Sequence, residues 1–273
     1  MTRLPKATMI PGDGLVLLSA HRGEGHALGQ CIDPSVTDEQ DPFSCDLSLD
    51  MYAADNGFRP PPEWCEYAPA FVDRYRQGQE ARVVRLDAIA RAHLRRADEA
   101  AAQAGAESFA SLPWREQQEI QRRQCFEPIM VVYRTMASLH YVDPHLDPSD
   151  REYGSLLSDR PDLMNMKALG FARTVTPRAW LSTWSALSSN ADVVKNLAGV
   201  SVPTLVVNAG RDREIYPRTD AQPIAAAAAA RDKTFLEYPR ARHYFEPDFG
   251  QKDAPDVEAL MDDLVPWITE RFG

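Results

Sequence analysis

The sequence has no long apolar run, few cysteines and no excess of basic charge. Its first apolar stretch, Leu15 to Leu18, is far too short to span a membrane, and no signal-peptide pattern precedes it. The four cysteines form no C-x-x-C pair, which argues against a zinc ribbon or redox motif, so we interpret them as reduced thiols. A formal net charge of -10 disfavours nucleic-acid binding. We therefore expect a cytoplasmic protein without membrane or nucleic-acid partners.

The order of the predicted elements indicates an α/β protein. The chain has 273 residues, of which 44% are hydrophobic, enough to bury a sizeable core. The apolar run in residues 14–21 (GLVLLSAH) is typical of a strand buried in a parallel sheet. Later, strands over 202–208 and 233–238 alternate with helices over 223–230 and 256–272. This order of strand, helix, strand, helix predicts parallel strands with covering helices.

The middle of the chain is predicted to be mainly helical. Residues 23–69 carry many turn signals and no clear period. Apolar spacing predicts helices over 70–104 and 112–136. A loop rich in Asp-Pro covers 143–161, and a further helix begins at Thr176-Pro177.

Two polar residues follow the two late strands. Asp212 comes just after the first of them and His243 just after the second. In parallel α/β sheets, functional groups collect at the carboxyl ends of strands. A carboxylate there can hold an imidazole in one tautomer, and the imidazole can then act as general base and general acid. We therefore predict Asp212 and His243 as the catalytic pair, although Asp212 could instead cap a helix and His243 could be a structural histidine.

The segments around this pair resemble those of α/β-hydrolases. PTLVVNAGRDREIYP (203–217) resembles the acid-bearing segment, and LEYPRARHYFEP (236–247) resembles the histidine segment. The resemblance implies that Asp212 is the triad acid and His243 the triad base. GDGLVLLSAH (12–21) is similar to the sixth strand of the family. The implied organisation is a partial α/β-hydrolase fold with a core strand in 1–22, a helical cap in 23–191 and the rest of the core in 192–273.

The chain departs from the family at the nucleophile. No G-x-S-x-G occurs, although the family places its nucleophile on such an elbow before the sixth strand. One explanation is that the chain is a truncated relative. Another alignment places His21, in Ser19-Ala20-His21-Arg22-Gly23, in the nucleophile slot, where His suits ester chemistry poorly.

These observations leave three functional hypotheses open. The first is a hydrolase of a carboxylic ester or similar acyl bond, with a small-molecule substrate, no cofactor and a serine not found in this chain. The second is a non-catalytic, degenerate hydrolase that binds a small molecule. The third is a metal-dependent activity centred on His140 and His145, which belong to a loop cluster with Asp143, Asp147 and Asp150.

Two further expectations concern neighbouring features. Asp220 is a reserve candidate for the acid, which we expect instead to cap the alanine-rich helix. A sheet of only three strands would leave the strand in 14–21 at an edge, apolar and exposed. Such an edge invites pairing with another chain, so we expect self-association.

Overall fold

The structure is a computed structural model that describes residues 8–273, and the chain divides into two compact units. The first unit, named the sheet unit, consists of the described residues up to His21, Asp147–Glu152 and Val193–Gly273. The second, named the helical unit, consists of Arg22–Leu146 and Tyr153–Asp192.

The described residues contain five strands and eight α-helices, in addition to short 3₁₀ and π turns. The strands are β1 (Leu15–Leu18), β2 (Met130–Val131), β3 (Thr174–Val175), β4 (Thr204–Ala209) and β5 (Lys233–Tyr238). The helices are α1 (Glu24–Cys31), α2 (Pro69–Ala104), α3 (Trp114–Cys125), α4 (Pro161–Met164), α5 (Pro177–Ala179), α6 (Val193–Asn196), α7 (Gln222–Ala227) and α8 (Pro255–Phe272).

The sheet unit is a mixed α/β structure built on a small parallel sheet. Its strand order is β1-β4-β5, and both pairings are parallel. The central strand β4 is buried along its whole length. Successive side chains of a strand point to opposite faces, so Val207 packs with Leu260 of α8, whereas Val206 packs with Ile224 of α7 on the other face. Helices thus cover both faces of β4, as the sequence predicts.

The helical unit is organised around α2, which has 36 residues. One apolar cluster forms around Tyr75 and Tyr141, and a second around Leu86 and Trp180. The strands β2 and β3 pair antiparallel in a separate two-stranded sheet.

Buried ion pairs hold the irregular segment after α1 against α2. Arg82 of α2 is 1% exposed and forms a two-pronged pair with Glu39, at 3.0 and 2.8 Å. Asp33 is fully buried and accepts from Arg134 Nε at 2.9 Å and from Asn165 Nδ2 at 2.7 Å. Buried charges need such complete pairing, because removing one partner leaves the other charge desolvated and alone.

Most predicted elements are confirmed, and two predictions in the middle of the chain are wrong. The helix predicted over 112–136 ends at Cys125, where Phe126 is already extended, and Pro128 disfavours helical backbone at Glu127 beyond it. The segment 23–69 is not wholly irregular, since it contains α1. Gly25 and Gly29 weaken the helical signal there, and both lie so close to Ser185 and Ala186 that a side chain would clash.

Within residues 8–273, no helix combines the length and the apolar character that crossing a bilayer requires. All four cysteines are free thiols.

An apolar surface extends from the free edge of the sheet onto α8. Val16 and Leu18 are 38% and 45% exposed, so the prediction of a buried strand is wrong for β1, because β1 lies at the edge of the sheet. On α8, side chains at helical spacing form an exposed apolar stripe of Met261, Val265, Ile268 and Phe272. The Phe272 ring lies 2.7 Å from where a Cβ on Gly14 would be, so the stripe reaches the start of β1. An edge strand with one side unpaired within the described residues, beside an apolar stripe, is a surface for association.

We predict that the chain self-associates through β1 and that Val16→Lys weakens this association. An unpaired lysine in the interface should raise the dissociation constant by at least about tenfold, since desolvating a charge costs more than the ~1.4 kcal/mol that this factor represents. Sedimentation velocity over a concentration series measures the effect. The matched control is Val84→Lys, at an exposed valine of α2. A wild-type chain that stays monomeric at all concentrations contradicts the prediction.

Candidate active site

Asp212 is held in one orientation by the loop that follows β4. Its side chain is completely buried, and Oδ1 accepts hydrogen bonds from the backbone N–H groups of Glu214 at 2.8 Å and Ile215 at 3.1 Å. The sequence favours this arrangement because aspartate readily accepts from the backbone two and three residues ahead. The second oxygen, Oδ2, remains for another partner.

That partner is His243, in the loop that follows β5. His243 Nδ1 lies 2.7 Å from Asp212 Oδ2, within the range of a strong charge-assisted hydrogen bond. An ionised carboxylate can only accept, so Nδ1 must carry the hydrogen. Nε2 of the neutral imidazole is then left as a proton acceptor. The His243 side chain is 16% exposed, so the ring is mostly but not fully enclosed.

The surroundings of His243 favour its charged form. Burial lowers the pKa of His243, but the hydrogen bond and charge of Asp212, together with Glu214 and Glu246, outweigh burial and raise the pKa above its ordinary value. The imidazole is therefore a stronger base than a free histidine.

Close backbone contact holds the two loops together. Gly210 N–H donates to Tyr238 O at 2.9 Å, and Arg211 N–H donates to Ala241 O at 2.9 Å. A Cβ on Gly210 would lie 2.6 Å from Pro239 Cα, so only glycine fits this approach.

The carboxylate of Glu152 links the two loops through ion pairs. Glu152 Oε1 accepts from Arg211 at 2.8 Å and from Arg242 at 2.5 Å. These arginines immediately precede Asp212 and His243 in the chain. The pair therefore has both backbone and side-chain support.

Two further residues of the sheet unit were not singled out from the sequence. Burial raises the pKa of Glu214, opposed by the charge of His243 and reinforced by that of Asp212. Ser19 follows β1 directly, has a left-handed φ of 43° and buries a hydroxyl that has no hydrogen-bond partner within the described residues. Left-handed backbone in a non-glycine residue at a strand end is a feature of functional turns. The sequence signal for Ser19 was weak, because Leu17 and His21 replace the small flanking residues of an elbow.

The structure also locates the other candidates. The alternative alignment places His21 in the nucleophile slot. In the structure, however, the residue with left-handed backbone after β1 is Ser19, not His21. Asp220 accepts from Tyr216 N–H at 3.1 Å, at the start of the helical segment before α7. Asp220 therefore does not cap the alanine-rich helix α7 as expected, because it lies inside the preceding turn Pro217–Ala221 and its carboxylate accepts from the residue before that turn.

The predicted metal cluster is divided between the two units. Asp143 accepts from His145 N–H at 2.9 Å and from Tyr67 N–H at 2.9 Å, within the helical unit. Asp147 belongs to the sheet unit and accepts from Thr219 N–H at 2.7 Å. In the part of the chain that the structure describes, no three His, Cys, Asp or Glu side chains are grouped to hold a metal ion. The hypothesis of a metal centre at His140 and His145 therefore gains no support.

Comparison with known proteins adds no assignment, because no family model, no curated protein and no solved structure matches this chain.

We predict that Asp212→Asn lowers the pKa of His243. The change removes the negative charge that opposes the effect of burial. An NMR titration of the His243 ring should give a pKa above about 6.5 in the wild type and a lower value in the variant. Asp220→Asn is the matched control and should leave this titration unchanged. Equal values in the wild type and Asp212→Asn would show that the carboxylate does not act on the ring.

We also predict that Gly210→Ala destabilises the site loops. The added methyl would overlap the Pro239 backbone, and overpacking of this kind costs about 1–3 kcal/mol. Urea unfolding measures the loss. Gly199→Ala is the matched control, because nothing lies within 4 Å of a Cβ at Gly199. Similar losses in both variants would contradict the close approach at Gly210.

Proposed function

We propose that this chain has a partial α/β-hydrolase fold and hydrolyses a carboxylic ester or related acyl bond. The observation that carries the proposal is the 2.7 Å contact between His243 Nδ1 and Asp212 Oδ2, made by loops at the carboxyl ends of adjacent parallel strands. Acid and histidine follow each other in the order of the family. The strand order β1-β4-β5 supports assigning β1 to the sixth strand and β4 to the seventh. The helical unit, which the chain forms mainly between these two strands, would then be the cap.

The chemistry of the pair suits acyl transfer. Nε2 of His243 would take the proton of an attacking hydroxyl as that oxygen bonds to the acyl carbon. It would then give the proton to the departing alcohol oxygen, which leaves an acyl-enzyme. In the second half, Nε2 would deprotonate water, whose oxygen attacks the acyl carbon and releases the carboxylic acid and the enzyme hydroxyl. Asp212 would stabilise the imidazolium in both halves.

Ser19 is the first hydroxyl to test as the nucleophile. It lies at the end of the strand beside β4, its backbone is left-handed, and its buried oxygen has no partner among the described residues. An elbow serine also sits on a strained turn after a strand, but the family's elbow precedes the sixth strand, whereas Ser19 follows the strand assigned to it. The flanking Leu17 and His21 differ from the small residues that an elbow usually has.

A fluorophosphonate probe tests the proposal directly. We expect the chain to be labelled, and we expect His243→Ala to slow labelling and p-nitrophenyl ester hydrolysis by about 10²–10⁴-fold, the contribution of a general base. His145→Ala, at an exposed histidine of the helical unit, is the matched control and should have no effect. Loss of labelling in Ser19→Ala would identify the nucleophile. Labelling that persists in His243→Ala at the wild-type rate would contradict the role of the pair.

The alternative is a non-catalytic protein that binds a small molecule. The absence of G-x-S-x-G from the sequence favours it. This alternative predicts no labelling and no ester turnover, together with saturable binding of a small molecule. Hydrolysis that depends on Asp212 would exclude it.

A further inference from the structure

A cationic groove lies on the helical unit between α2 and α3. Its volume is about 620 Å³, within the range of pockets that hold small molecules. One face of α2 supplies Arg96, Ala97 and Ala100, and the end of α3 supplies Arg122 and Arg123. The groove is contained in the helical unit and is separate in sequence from Asp212 and His243.

The groove has an apolar floor. Ala100 is buried there, and Phe126 and Pro128 continue the apolar lining beyond α3. Phe126 is 68% exposed although it is a large aromatic side chain. An exposed aromatic beside small apolar residues offers a surface on which an alkyl chain could be desolvated.

The arginines at the rim lack the ionic partners that neighbouring arginines have. Arg91 on α2 pairs with Asp87 at 3.5 Å, and Arg115 on α3 pairs with Glu119 at 3.2 Å. Three other arginines, all of which line the groove, have no ion pair within the described residues: Arg96, Arg122 and Arg123.

The charged residues that line the groove are mainly basic, whereas the whole chain is acidic. Glu99 is the one acidic residue among the groove-lining residues, whereas the chain carries a formal net charge of -10. Clustered like charges repel one another and attract an anion. Because Arg96 and Arg122 come from different helices, this cluster is not visible as a run in the sequence.

We propose that the groove binds a monomeric long-chain carboxylate. The arginines would hold the carboxylate head, for which a guanidinium is geometrically suited, and Ala97, Ala100 and Phe126 would cover the alkyl chain. The proposal does not depend on the activity of Asp212 and His243, so either can fail without the other.

Isothermal titration of the full chain with decanoate tests the proposal. We expect saturable binding at one site. Hexanoate should bind at least about tenfold more weakly, because each buried methylene adds to affinity. Decyltrimethylammonium, which has the same chain and the opposite charge, should not compete. Decanoate that does not saturate, or that binds no better than hexanoate, would overturn the proposal.

Matched variants separate the groove from general surface effects. Arg122→Glu should weaken decanoate binding by at least about tenfold, whereas Arg115→Glu makes the same charge change on the same helix outside the groove and should leave it unchanged. Phe126→Ser should weaken binding, and Trp114→Ser, at an equally exposed aromatic of α3, should not. Circular dichroism melting checks that each variant is folded. Equal effects of Arg122→Glu and Arg115→Glu would overturn the assignment.

A second copy of the chain or a membrane surface in the groove would each give a result different from that of a long-chain carboxylate. Static light scattering would detect a second copy of the chain in the groove as a doubled mass that Arg122→Glu abolishes. Flotation with vesicles of phosphatidylglycerol would detect a membrane surface. Either result without saturable decanoate binding would overturn the proposal.

Discussion

The candidate site depends on the parallel pairing of β4 with β5. The register runs unbroken from Thr204↔Lys233 to Ala209↔Tyr238, so both strands end at the same level. The loops that follow therefore start side by side, and the backbone contacts of Gly210 keep them close. A shift of one residue would turn every side chain of the strand to the opposite face and would remove Gly210 from Pro239. The 2.7 Å contact between Asp212 and His243 thus follows from sheet geometry as much as from the two residues themselves.

In the helical unit, the long segment between α1 and α2 has little regular structure, so it must be held in place by other interactions. That segment is held by buried charges, with Asp33 and Glu39 on one side and Arg82 and Arg134 on the other. Burial alone would raise the pKa of Glu39, but the hydrogen bonds and charges of Arg82 and Arg85 lower it. Arg173 has no ion pair with a carboxylate within the described residues, and burial with the charges of Arg82 and Arg134 outweighs the charge of Asp33 and lowers its pKa to about 10. Buried ion pairs add little stability compared with well-packed apolar side chains in the same place. Removing one charge of a pair, however, is strongly destabilising, because the other charge is left buried without a partner.

The elements that the sequence predicted well are those governed by local rules. The period of α2, the apolar run of β4 and the amphipathic pattern of α8 all depend on residues that are close together in the sequence. The predicted bounds of these elements agree with the structure to within two residues. The pairing of Asp212 with His243 was predictable because parallel strands bring their carboxyl ends together. By contrast, Asp147 caps a helical segment that lies 71 and 72 residues later in the chain, at Arg218 and Thr219. The left-handed φ of Ser19 and the groove between α2 and α3 likewise arise from tertiary contacts, for which no local pattern exists.

The raised pKa of His243 would make the stability of the fold and the proposed general-base activity respond to pH in opposite directions. A histidine whose pKa is higher in the folded state stabilises the fold fully below its unfolded pKa of about 6.5, and this contribution is lost as pH rises through the folded pKa. A general base, however, must be neutral, so its working fraction increases over that same interval. Asp212 cannot be optimised for both, because the charge that would stabilise the imidazolium in the proposed proton transfer also raises the pKa of the resting ring. Glu214 and Glu246 add to that effect. Burial of the ring opposes all three carboxylates, so the degree of enclosure of His243 sets the balance between a stable pair and an available base.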